Sequence, residues 1–377
     1  MLMDIWSDFN KSSTQEWEEK VLFDFKDKII EDFYWKTEYG KINPFLIDNE
    51  SIVNEKSQNF NEIRWKFNNE NKLNSQILNR LNDGINSINI NKINFNHSIF
   101  DNVMCSIIQN HVILNSKTDS FEIEQWNNWG KKEIQGSIRM DPLENILENF
   151  SPSKLNDQFR SYENFNNIIK NKALKCLFVN GEIYLKYFID FSTEIAFLAA
   201  HFNEIIEYHK TNNIDIPEKV MIQTFLGNSF LESISKIKAI RCIINQIIKT
   251  HGLKMYIFIE TSPNPEILKQ KEFDFRLIAI SSTVLSSLLG GANSFEMSDS
   301  LLETDEEYWK KIMINIPLIL TEESKVKHEM SKGAYMIEQI SKKMAHTSWE
   351  IFKEIENKNG LIKLVNNKKH ANYFKSK

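Results

Sequence analysis

Hydrophobic and polar positions alternate most legibly between Lys219 and Met297. Val220-Met221-Ile222-Gln223-Thr224-Phe225 is an apolar, β-prone run, and Asn228-Ser229 then stand where a helix cap belongs. Phe230, Ile234, Ile237, Ile240, Ile244 and Ile248 follow three or four apart, the spacing of one helix face, and the pattern closes at Gly252. Met255 to Ile259 is a second apolar run, ending in Glu260-Thr261-Ser262-Pro263. A further helix is predicted from Phe273 to Leu289, stopped by Gly290-Gly291, and Ala292 to Met297 begins a third strand. Strands apolar at nearly every residue are covered on both faces, which implies a parallel sheet enclosed by helices.

The same alternation extends upstream. Strands are predicted at Ile63 to Phe67, Ser87 to Ile90, Val112 to Asn115 (where a helix end is the alternative), Ser137 to Met140 and Cys176 to Val179. With the three above they make about eight, over roughly the ~250 residues that a (β/α)8 TIM-type barrel needs. The helix from Thr193 to Tyr208 carries a broad apolar face. Glu306 to Ile319 and Ala334 to Ile355 are predicted helices covering the end of the barrel, Gly360 punctuates the chain, and the tail from Asn366 is expected to fray. The implied organisation is an N-terminal arm over 1–57, an α/β barrel over 58–330, and closing helices with a tail over 331–377. The arm carries Trp6, Phe9, Trp17, Phe33, Trp35 and Phe45, too many large apolar groups to leave in water. An extended arm of that kind needs a surface to lie on, its own barrel or a partner subunit.

Composition narrows the function classes. At 377 residues, with 41% hydrophobic and 26% charged residues, the chain is that of a soluble globular protein. A net charge of −5, spread along the chain, gives no nucleic-acid or membrane surface. No leader pattern or apolar run of about 18 residues is present, so a cytoplasmic protein is expected. Cys105, Cys176 and Cys242 lie in apolar segments without paired spacing and are expected to be buried free thiols. None of the eight histidines stands in a metal-binding spacing; His201 and His209 are expected at exposed or helix-end positions. No phosphate loop, nucleophile elbow or dinucleotide fingerprint is present.

What remains is positional, because a barrel's pocket lies at the C-terminal ends of its strands. Those positions hold Arg139, Gly181 with Glu182, Gln223 with Thr224, and Glu260 with Thr261 and Ser262. Arg139 facing Glu260 would be either an ion pair that fills the pocket or an anion clamp. Glu182 and Glu260 could also form a carboxylate pair for acid–base work.

Several phrases carry a family resemblance. Phe230-Leu-Glu-Ser-Ile-Ser-Lys-Ile-Lys-Ala-Ile-Arg241, Glu260-Thr-Ser262, Leu289-Gly-Gly-Ala-Asn-Ser294 and Gly136-Ser-Ile-Arg-Met-Asp141 resemble the substrate barrel of the methylmalonyl-CoA mutase family, as does Trp35-Lys-Thr-Glu-Tyr-Gly40 with Pro44 and Phe45. The likeness is strongest to the small, non-catalytic subunit of the two-chain enzymes. It implies a barrel that pairs with a catalytic large subunit, which carries adenosylcobalamin and interconverts succinyl-CoA and methylmalonyl-CoA. The departures from the catalytic pattern point the same way. Glu182-Ile183 stands where catalytic subunits have Tyr-His, Glu260 replaces a Gln, Arg139 replaces a substrate-contacting Gln, and only Lys172 and Lys175 lie near the place of the carboxylate-clamping Arg. No histidine follows an Asp by two residues as the cobalt ligand does, so no cofactor is expected on this chain, and acyl-CoA is expected only through the complex. Trp17, Phe33, Trp35, Pro44 and Phe45 are the interface candidates. The alternative is a stand-alone barrel that binds an acyl-CoA or another anion.

Overall fold

The computed structural model describes residues 13–37, 39–43, 60, 62–67, 72–91, 101–108, 111–117, 135–149, 155–169, 172–185, 190–269, 272–298, 301 and 307–367. Pro44 and Phe45 lie outside these, as does most of the expected fraying tail. The chain opens with helix α1 (Thr14–Asp24), a 3-10 turn (Ile30–Phe33) and the antiparallel hairpin β1 (Trp35–Thr37) and β2 (Gly40–Ile42). The barrel follows with β3 (Glu62–Phe67), α2 (Leu73–Asp83), β4 (Ser87–Asn91), β5 (Ile113–Lys117), β6 (Gly136–Arg139), α3 (Glu144–Asn149), α4 (Leu155–Ile168) and β7 (Leu177–Val179). It continues through α5 (Phe191–Thr211), β8 (Lys219–Leu226), α6 (Phe230–Thr250), β9 (Tyr256–Pro263), α7 (Pro265–Leu268), α8 (Phe273–Gly290), β10 (Ser294–Ser298) and α9 (Glu307–Leu318). Two further helices, α10 (Tyr335–Asn357) and α11 (Gly360–Asn366), come last; Gly360 thus begins a helix.

All eight expected strands are present, and Val112 to Asn115 resolves to a strand. They form one parallel sheet in the order β6-β5-β4-β3-β10-β9-β8-β7. A parallel bridge between Ile138 and Lys175 joins the two outer strands, so the sheet closes on itself as a TIM-type barrel. The outward residues are apolar: Ile63, Trp65 and Phe67 of β3, Ile88 and Ile90 of β4, Val220 and Ile222 of β8, and Ile257 and Ile259 of β9 all join one core beneath the helices. α10 packs on α5 and α6, which extends that core beyond the barrel.

Glycine acts where the backbone has no room. Gly291 closes α8 in the left-handed region at φ +82°, and a Cβ on Gly290 would come within 2.6 Å of Ile237 Cδ1. The pair therefore caps α8 and lets it lie tight on α6. At Gly136 a Cβ would stand 1.7 Å from the Leu114 carbonyl oxygen, so β5 and β6 pair there only through glycine.

The arm differs from the extended segment expected. It is a helix, a turn and a hairpin, and from Ser13 to Phe33 no described residue is buried. Trp17, Phe33 and Trp35 are half-buried, whereas Leu22, Phe23, Phe25 and Ile29 are exposed. The hairpin is seated on the molecule, with Ile42 fully buried, β2 against α10, and Lys343 Nζ donating to the Lys41 carbonyl. Cys176 is buried as expected, but Cys105 is exposed and Cys242 half-buried; all three are free thiols. Arg276, in the first turn of α8, is buried. Among the described residues no helix is long and apolar enough to cross a membrane.

Candidate functional site

The inward faces of the strands are polar on β3, β4, β5, β6 and β10 and partly apolar on β7, β8 and β9. Because strand side chains alternate, Glu62, Arg64 and Lys66 of β3 point into the barrel while Ile63, Trp65 and Phe67 point out. Ser87 and Asn89, Asn115, Ser137 and Arg139, Gln223, Glu260, and Glu296 come inward by the same rule from their strands.

These groups fill the barrel in levels. At the lower level Ser87 donates to Glu62 Oε2 at 2.9 Å, Asn115 Nδ2 donates to Ser87 Oγ at 3.0 Å, and Ser137 Oγ donates to Asn115 Oδ1 at 2.5 Å. Lys219 Nζ donates to the Gly136 carbonyl at 3.2 Å. In the middle, Glu260 on β9 is paired with Arg64 on β3 and with Arg139 on β6, across the lumen. Arg139 Nη1 donates to Oε1 at 3.2 Å, its Nη2 stands 2.9 Å from Oε2 as an ion-pair contact without hydrogen-bond geometry, and Gln223 Nε2 adds a bond of 3.1 Å to Oε1. Arg64 also pairs with Glu62, and Nε of Arg64 and of Arg139 donate to Ser87 at 3.1 Å and Ser137 at 3.0 Å. Beside this network Phe178, Met221 and Phe258 form a small apolar cluster of their own. Arg139 lies over the Phe178 ring at 5.3 Å and Arg64 over the Phe258 ring at 5.9 Å, so the guanidinium faces rest on aromatic ones. At the upper level Asn89 donates to Glu296 at 2.6 Å, and Lys66 reaches Glu182 at 3.3 Å.

Electrostatics follow the packing. Burial opposes the charge on Glu62, but Arg64, Lys219 and the Ser87 hydroxyl together outweigh burial and hold the carboxyl below its ordinary value. Burial likewise opposes the charge on Lys66, yet Glu296 and Glu182 raise its pKa. Arg139 is pushed down to about 9 by burial and by the neighbouring Arg64 charge. Its guanidinium is held in a costly place; Glu296 and Glu62 act against that shift, and Glu260 pairs with it directly.

Of the residues expected at the pocket, Arg139, Gln223 and Glu260 come together, all at most 4% exposed. Ser262 shares Glu260's side of β9 and is buried. Glu182 is set apart in the turn Gly181–Tyr184 after β7, with its side chain 47% exposed and paired to Lys66. Glu260 is fully buried, so the two carboxylates of the suggested pair stand in different surroundings. Thr261 turns away from the lumen: its Oγ1 meets Ser287 Oγ of α8 at 2.5 Å and donates to the Ser294 carbonyl at 2.9 Å. Adjacent strand residues cannot share a face, so Glu260 and Thr261 could not both line the pocket. Thr224 turns outward for the same reason, donating to Glu194 of α5 at 3.1 Å.

Two groups escaped the sequence reading. Arg64 is one; its signal is the alternation Glu62-Ile63-Arg64-Trp65-Lys66-Phe67, which in a barrel strand places three charges inside. The other is His201, which is fully buried and neither exposed nor at a helix end. Its Nε2 lies 2.8 Å from Asp141 Oδ1 and its Nδ1 3.0 Å from the Tyr184 hydroxyl. Asp141 also accepts backbone N–H bonds from Leu143 at 2.9 Å and Asn180 at 2.8 Å, so one carboxylate ties the ends of β6 and β7 to α5. His209 is buried too, between the Tyr162 hydroxyl at 2.9 Å and the Asp215 carbonyl at 3.0 Å. Burial lowers its pKa.

The fold and the lumen define a TIM-type barrel whose centre is occupied by its own side chains. A family model described as methylmalonyl-CoA mutase matches residues 84–373, most of the chain. The chain belongs to the methylmalonyl-CoA mutase family. No curated protein matches it in sequence. Among solved structures, a dihydropteroate synthase of Yersinia pestis is similar at 12% identity and a TM-score of 0.40, over 69% of this chain and 93% of that one. A Coxiella burnetii dihydropteroate synthase in complex with pteroic acid is similar at 11% identity and a TM-score of 0.33, over 69% and 94%. Likeness of that degree carries no argument about the present site.

Proposed function

We propose that this chain is the small, catalytically silent subunit of an adenosylcobalamin-dependent methylmalonyl-CoA mutase, and that a catalytic large subunit carries the cofactor, the substrate pocket and the isomerisation of succinyl-CoA and methylmalonyl-CoA. One observation carries the reading: Glu260, clasped by Arg64, Arg139 and Gln223, spans the middle of the barrel where a substrate would have to enter. A free-standing acyl-CoA or anion binder would need that space.

The residues present do not fit the corrinoid. Among the described residues no barrel strand carries a histidine. Both ring nitrogens of His201 and of His209 are engaged, and those of His251 meet Asn203 at 2.8 Å and Lys210 at 2.8 Å. We therefore derive no step through the cofactor on this chain. What the chain would contribute is a surface. No described residue of 13–33 is fully buried, and Leu22, Phe23, Phe25 and Ile29 are exposed, the composition of an interface waiting for its other half. Phe33 meets it through its ring contact with Phe25 at 5.3 Å, and Trp17 and Trp35 remain interface candidates. Deleting residues 1–33 should abolish association with the large subunit while thermal unfolding of the barrel changes little. A truncated chain that still forms the complex would refute this role for the arm.

A further inference from the structure

We propose that Arg64, Arg139 and Gln223 form a carboxylate-binding site in the middle of the barrel, and that the chain's own Glu260 is its resident ligand. The proposal goes beyond subunit pairing and does not depend on it. The contacts Glu260 receives are those a free carboxylate would attract: a hydrogen bond from Arg139 Nη1 at 3.2 Å, ion-pair contacts from the guanidinium groups of Arg139 at 2.9 Å and of Arg64, and an amide N–H from Gln223 at 3.1 Å. The donors are anchored independently of Glu260, because Arg64 is also held by Ser87 and Glu62, and Arg139 by Ser137. The rings of Phe258 and Phe178 back the two guanidinium groups. This is a preorganised anion cradle, with a tether holding the ligand at an effective concentration no solute matches.

The ligand class follows from the atoms. Cutting the Glu260 side chain back to Cβ removes a methylene, a carboxyl carbon and two oxygens, the heavy atoms of one acetate ion. The site vacated in Glu260→Ala should therefore take formate or acetate and refuse neutral acetamide, which lacks the charge that two guanidinium groups require.

The test is to purify or refold Glu260→Ala in potassium acetate, potassium chloride or acetamide with potassium chloride, at equal ionic strength, and follow thermal unfolding. Acetate should raise the midpoint saturably, by about 2 °C at tenfold above its dissociation constant. The chloride and acetamide samples should not show that rise. Wild-type protein and Glu260→Gln, whose side chains still fill the space, should show no acetate effect beyond that of chloride. A variant recovered soluble only with acetate is the same result in its strongest form. The proposal is overturned if acetate acts no better than chloride, if it shifts wild type equally, or if Glu260→Ala aggregates with and without acetate, because the donors would then collapse onto one another instead of accepting the ion.

Discussion

Replacing Arg139 by Met tests whether the mid-barrel network holds the fold. Methionine keeps most of the aliphatic stem, so lost packing is small, while the grip on Glu260 at 3.2 and 2.9 Å and the bond to Ser137 at 3.0 Å disappear. Removing one partner of a buried ion pair costs about 3–5 kcal/mol, chiefly because the other charge is left undercompensated. Here Glu260 retains Arg64 and Gln223, and burial together with Arg64 already pulls Arg139 down to about 9. Both facts place Arg139→Met near the lower end, about 3 kcal/mol. Arg64→Met strips a partner from Glu62 as well as from Glu260 and belongs near the upper end, about 5 kcal/mol. In Arg139→Met/Glu260→Gln the two charges leave together, and the double variant should cost about 2 kcal/mol less than the sum of the singles. Urea unfolding of the four proteins in the cycle measures this coupling. A cycle additive to within about 0.5 kcal/mol, or Arg64→Met milder than Arg139→Met, would refute the account of the lumen.

The remaining expectations probe other parts of the fold. Glu356 on α10 is pushed up to about 7 by burial and the nearby Glu204 charge, against Asn203, which donates to it at 3.1 Å. Its folded pKa lies above the unfolded value of 4.5, so the stability linked to it is complete below that value and is lost as pH rises through 7. Glu356→Gln should therefore match wild type near pH 4 and be more stable at pH 8, by about 1 kcal/mol after allowance for partial exposure, as thermal unfolding at the two pH values would measure. Asp141→Ala removes the shared acceptor of His201, Leu143 and Asn180 and should cost at least about 3 kcal/mol in urea unfolding. Gly136→Ala forces a Cβ against the Leu114 carbonyl and should yield insoluble or grossly destabilised protein, seen by circular dichroism and solubility.

The strands and long helices were legible because their apolar periodicity is enforced by one large core: Ile63, Ile88, Val220 and Ile257 sit where alternation puts them. The site was legible in part. Arg139 and Glu260 emerged from their places at strand ends, and which of the two roles they play is an ion pair, a matter of three-dimensional register that spacing does not convey. Thr261 was misplaced because a strand end was treated as a point, whereas its alternation continues through Pro263. His201 was misjudged because its partners, Asp141 and Tyr184, lie 60 and 17 residues away, and no local pattern announces them. The arm's large apolar side chains, Trp17, Phe33 and Trp35 among them, were readable as a demand for a surface, without the identity of that surface.

The central claim is tested most directly by co-expressing this chain with a large methylmalonyl-CoA mutase subunit from the same genome and measuring the mass and cofactor content of what elutes. The account expects a one-to-one complex in which adenosylcobalamin travels only with the larger chain. A chain that elutes alone, or that binds adenosylcobalamin by itself, would contradict it.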